Sequence, residues 1–130
     1  MCKGLALFLG SIFALVGLFG FVPNPVIGPG GIFETNAAHN IAHLLFGAAL
    51  LGASASGENA AATTLKASGA LYLLLAVIGF IAVSGNERSA MLLDVVHINR
   101  ADNWLHLVLG LVLLGAGFAR KGVVSAAPVS

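Results

Sequence analysis

Four stretches of this chain carry no Asp, Glu, Lys or Arg: Gly4 to Val22, the interval between Glu34 and Glu58, Ala67 to Gly85, and the interval between Asp102 and Arg120. Each supplies the roughly 20 apolar residues needed to cross a hydrocarbon core about 30 Å thick. Lipid offers the backbone no hydrogen-bond partner, so such segments must satisfy their N–H and C=O groups internally, as helices do. A mean hydropathy of +1.00 and a charged fraction of 8%, against about 25% in ordinary soluble domains, exclude a soluble fold. The expectation is all-α: a four-helix transmembrane bundle embedded in a lipid bilayer, with residues 1–130 forming one membrane domain.

The second and fourth stretches are near-copies. Asn36 to Ala53 aligns without gaps on Asn99 to Ala116, with ten of eighteen positions identical, including Asn36 with Asn99, Asn40 with Asn103, His43 with His106 and Gly47 with Gly110. The first and third stretches are related more weakly, Ala14 to Phe19 resembling Ala76 to Ile81. The repeating unit is therefore a helical hairpin, residues 1–57 and 63–122, and the two tandem hairpins form a parallel repeat about an axis along the membrane normal. Equivalent residues then lie at equal depth.

Lys3, Lys66, Arg120 and Lys121 fall on the side of the termini, and Arg88 and Arg100 on the other, so the positive-inside rule predicts cytoplasmic termini. The run after Lys3 also invites a signal-peptide reading, but Phe21-Val22-Pro23-Asn24-Pro25 supplies no small-residue cleavage site. Cys2 is the single cysteine; it rules out an intrachain disulfide and is read as unmodified, with lipidation as the other option. A formal net charge of +1 without a basic run removes nucleic acid as a partner. Ala53 to Thr64 and the tail from Val123 read as loop and frayed end.

The chemistry is concentrated at the histidines. Pro23, Pro25, Gly28, Pro29, Gly30 and Gly31 bar helix until the second span, where Asn36 serves as N-cap; Asn99 does the same for the fourth span, with Asp102 placed to complete a capping box. His39 and His43 are spaced i, i+4, as are Asp102 and His106, so each pair shares a helix face; Gly47 and Gly110, one turn further in, permit close approach of a partner backbone or a flat ligand. Several readings fit. His43 and His106 can hydrogen-bond each other, or Asn40 and Asn103, fastening the hairpins together. His39, His43, Asp102 and His106 can form a site for a divalent transition metal, a donor set suited to zinc, copper or iron, with His97 as a further donor. Alternatively, His43 and His106 can ligate haem axially, with Gly47 and Gly110 making room for the macrocycle. Proton relay or transport is the residual possibility. No nucleophile elbow surrounds any serine, and the chain is not read as an enzyme. Trp104 and Tyr72 fit interfacial anchors, and Asn86 to Arg100 fits either a short interfacial amphipathic helix or a connecting loop.

The segment Asp102-Asn103-Trp104-Leu105-His106-Leu107-Val108-Leu109-Gly110, preceded by His97 and Asn99, together with Asn40-Ile41-Ala42-His43, resembles a family of small bacterial four-helix membrane proteins known only as a domain of unknown function. The resemblance implies the fold and a multi-pass location in the bacterial cytoplasmic (inner) membrane. It implies no activity. The function expected is structural or accessory, within a larger membrane complex or a homo-oligomer and with no cofactor; the alternative is a haem- or metal-binding protein using His43 and His106, possibly in electron transfer.

Overall fold

A computed structural model describes residues 1–119. Helix α1 (Cys2–Phe19) ends at Gly20, ahead of the Pro23-Asn24-Pro25 block that cannot continue it. Asn24 knots the following loop: its amide donates to the carbonyls of Phe19, Val22 and Ile27, and its Oδ1 accepts from the backbone of Val26 and Ile27. Helix α2 (Ala37–Ser56) starts at the expected cap, Asn36 Oδ1 accepting from His39 N at 3.0 Å. Only Gly57, at φ +126°, separates it from α3 (Glu58–Ala82). The Ala53–Thr64 segment is thus helical on both sides of one glycine, not a loop: its alanines favour helix, and the reversal needs a single residue with a positive φ.

The connection from α3 to α4 is neither an amphipathic helix nor an irregular loop. Strands β1 (Ser89–Leu92) and β2 (Val96–Asn99) form an antiparallel hairpin pairing Ser89 with Asn99 and Leu92 with Val96. Leu93 and Asp94, both at positive φ, make its turn. Helix α4 (Arg100–Phe118) then begins with the complete capping box: Asp102 N donates to Asn99 Oδ1, and Asn99 N donates to Asp102 Oδ2 at 2.8 Å.

All four helices are long and apolar enough to cross a membrane, and only 33 to 39% of each span is buried against the rest of the protein. The outward faces carry Leu, Ile and Phe, among them Phe8, Leu15, Leu45, Leu74 and Leu111, which is the composition a lipid-facing surface requires. This is a multi-pass membrane protein in contact with the bilayer. Helix α1 packs along α2 and α3 along α4; the hairpins meet where α3 runs against α1 and α2. Cys2 is fully buried, its thiol against the Ala116 carbonyl at 3.5 Å.

The two hairpins make matching contacts. Gly10 lies against the Gly47 carbonyl and Gly69 against the Gly110 carbonyl; Gly20 abuts the Asn40 side chain and Gly79 the Asn103 side chain. These glycines are 59 residues apart on α1 and α3, and the residues they face are 63 apart on α2 and α4. The pairs Leu50 and Leu113, Ala53 and Ala116, and His43 and His106 have equal exposure. Across the junction, Asn36 Nδ2 donates to the Val95 carbonyl and Asn99 Nδ2 to the Ile32 carbonyl, both at 2.8 Å.

Candidate metal centre

The first turns of α2 place His39 and His43 one above the other, their ring centroids 4.7 Å apart. His106, from α4, reaches them, its centroid 5.9 Å from that of His39. One ring nitrogen from each of the three lies within 4.8 Å of the others. All three side chains are buried: His39 is 3% exposed, and His43 and His106 are each 6% exposed.

His39 Nδ1 sits 2.7 Å from the carbonyl of His97 on β2. A carbonyl only accepts, so Nδ1 carries the proton and Nε2 keeps its lone pair. This is the outer-sphere bond that commonly orients metal-ligating histidines. His43 and His106 are held differently. Their Nδ1 atoms are buried without any hydrogen-bond partner, which costs about 1–3 kcal/mol per group, while their rings are wedged by aromatic neighbours: Phe13 lies 5.8 Å from His43, and Tyr72 lies 5.2 Å from His106, nearly perpendicular to it. Neither histidine bonds the other, and Asn40 Oδ1 and both polar atoms of the Asn103 amide are likewise unpartnered. The fastening bonds expected from these residues are absent among the described residues.

The fourth expected ligand is elsewhere. Asp102 is buried on the helix face of His106, but its carboxylate accepts from Asn99 N in the capping box and lies outside the histidine cluster. The ring of His97 pairs with Glu34 at 3.5 Å, so His97 serves the cluster through its carbonyl. Gly47 and Gly110 do not open a slot for a macrocycle. A Cβ on Gly47 would lie 2.8 Å from the Ala14 backbone nitrogen, and one on Gly110 would lie 2.9 Å from that of Leu73; the space beside each glycine is filled by its own hairpin partner. Glycine is required here for close helix approach.

Tyr72, expected at an interface, is instead 2% exposed in the centre of the bundle, edge-on to Phe13 at 5.3 Å and to Phe46 at 5.0 Å. Trp104 does face outward, edge to face with Phe80 at 5.0 Å. Sequence reading missed Phe13, Phe46 and Tyr72 as walls of the site. The available signal was the clustering of bulky aromatics at one helical level, which an apolar stretch hides.

Three buried imidazoles from two helices are donors of the type a transition metal takes, and a tetrahedral ion would have one position left for a further ligand. A tetrahedral ion with bonds of 2.0–2.1 Å brings its ligand nitrogens roughly 3.4 Å apart, against the 4.8 Å within which the three ring nitrogens lie here. No curated protein and no solved structure matches the chain. The family model described as "Domain of unknown function (DUF4383)" matches residues 30–119, from the first loop through α4, including every residue of the histidine cluster. The chain belongs to that family.

Proposed function

We propose that this protein is a membrane-embedded transition-metal-binding protein whose ligands are His39, His43 and His106. The observation that carries this reading is the convergence of three buried ring nitrogens to within 4.8 Å. A scaffold would not need that convergence. The donor set favours zinc, copper or iron in the divalent state. The matched contacts of the hairpins support a further part of the reading, that the chain arose by duplication of a hairpin and that the copies then diverged, one keeping His39 where the other has Asp102. We place the centre near the extracytoplasmic face of a bacterial inner membrane, following the Lys and Arg distribution.

The test is metal titration of detergent-purified protein, first stripped with chelator, using Zn²⁺ and Cu²⁺ against a competing chelator. One equivalent should bind, and His39→Ala, His43→Ala and His106→Ala should each lower affinity at least tenfold while Asp102→Asn does not. Absence of binding to folded protein, or binding unchanged in the triple alanine variant, defeats the proposal and returns the chain to a structural or accessory role.

A further inference from the structure

A groove of about 340 Å³ lies between the end of α3 and the start of α4, lined by Gly85, Asn86, Glu87, Arg88 and Arg100. Helix α3 ends at Ala82 and α4 begins at Arg100, and both are spans, so the groove stands where the apolar helices give way to the headgroup layer. Arginines near span ends extend into that layer. The first hairpin does without this charge. Its cavity beside the start of α2, about 480 Å³, is lined by no charged side chain, and Ala37 stands where the second hairpin has Arg100. The hairpin fold therefore does not require a cation here.

The two guanidiniums are held differently and both keep donors to spare. Arg100 Nη2 donates to the Gly85 carbonyl at 2.8 Å and to the Glu87 carbonyl at 3.3 Å, which fixes the side chain against the turn. Its Nε and Nη1 have no partner among the described residues, and neither has any nitrogen of the Arg88 guanidinium. Both side chains are exposed. Glu87, the one acidic residue of the groove, forms no ion pair with either arginine among the described residues. Two arginines against one glutamate leave the groove with net positive charge.

Planar guanidinium forks match the oxygens of a phosphate, and at this depth the phosphates at hand are those of lipids. A zwitterionic headgroup would bring an ammonium into the same positive field. A phosphoglycerol headgroup brings negative charge, with hydroxyls that can donate to Glu87 and Asn86. We infer that this groove binds the headgroup of an anionic phospholipid, its phosphate held by Arg88 and by the free edge of Arg100. The site is separate from the histidine cluster and stands or falls without it.

Trp104, the single tryptophan, reports on this lipid: it faces outward one turn after Arg100, on the same side of α4. The full chain is reconstituted in phosphatidylcholine bilayers containing a graded fraction of brominated phosphatidylglycerol, whose bromines quench a neighbouring tryptophan. Quenching should exceed that set by bulk composition and correspond to a preference of about fivefold over phosphatidylcholine, the effect of one arginine beside anionic lipid. Arg88→Gln removes no contact within the protein and should abolish most of that preference; Arg100→Gln should do the same. Quenching that follows bulk composition, a preference unchanged in both variants, or an equal preference for brominated phosphatidylethanolamine overturns the inference. So does a preference lost on adding inorganic phosphate but not chloride of equal ionic strength, which would make this a site for the free anion.

Discussion

Replacing Gly47 or Gly110 by alanine separates two roles that a glycine beside a histidine can have. A Cβ at Gly47 would meet Ala14 N at 2.8 Å, Gly10 O at 3.0 Å and Ala14 Cα at 3.1 Å; at Gly110 it would meet Leu73 N at 2.9 Å. These are backbone atoms, so relief requires α1 to move from α2, or α3 from α4, by roughly 0.5 Å or more to restore ordinary contact. Overpacking of this kind costs about 1–3 kcal/mol. It is offset by up to about 1 kcal/mol from the better helix propensity of alanine. Gly52 and Gly115 supply the controls, since a Cβ there meets nothing within 4 Å and only the propensity gain remains. Gly47→Ala and Gly110→Ala should therefore each be less stable than Gly52→Ala and Gly115→Ala by about 1–3 kcal/mol. The assay is equilibrium unfolding in mixed micelles of rising SDS fraction, followed by far-ultraviolet circular dichroism. Equal stability of the four variants would refute the close packing of α1 on α2 and α3 on α4, and would reopen the space beside Gly47 and Gly110 for a ligand.

Other outcomes follow from the same contacts. Asn36→Ala and Asn99→Ala each remove a helix cap, worth about 1 kcal/mol, and a bond across the hairpin junction, worth about 0.5–1.5 kcal/mol; the double variant should lose less than the sum in the same SDS titration, because both bonds hold one junction. An additive double variant would show that the two bonds act independently. Cys2 should react with a maleimide only after SDS unfolding, since it is fully buried beside the Ala116 carbonyl; rapid labelling in mild detergent would contradict the packing of α1 on the end of α4.

The four spans and the two caps were legible because they rest on local physics: length without charge, and Asn at the residue preceding an apolar helix. Three of the four candidate ligands meet: the i, i+4 spacing put His39 and His43 on one helix face, and His106 stands at the position of α4 that matches His43 in the sequence alignment of the two segments. Asp102 fitted two patterns in the sequence, the capping box and the ligand stripe, and its carboxylate forms the capping box. Gly47 and Gly110 read as admitting either a partner backbone or a flat ligand, because the sequence shows that something must approach them closely without showing what. The β-hairpin was hidden because Met91-Leu92-Leu93 and Val95-Val96 read equally as one side of a helix or as paired strands; the turn at Leu93 and Asp94 uses two non-glycine residues at positive φ, which no turn signature announces. The role of Tyr72 followed from where α3 crosses α1, a tertiary fact without a local signal.

The central claim is that three histidines jointly hold one metal ion, and X-ray absorption at the edge of whichever metal copurifies with the protein examines that first shell directly. The account predicts three imidazole nitrogens at about 2.0–2.1 Å for zinc, with the imidazole scattering lost in the His39→Ala, His43→Ala, His106→Ala triple variant. A first shell without imidazole, or one unchanged in that variant, would contradict it.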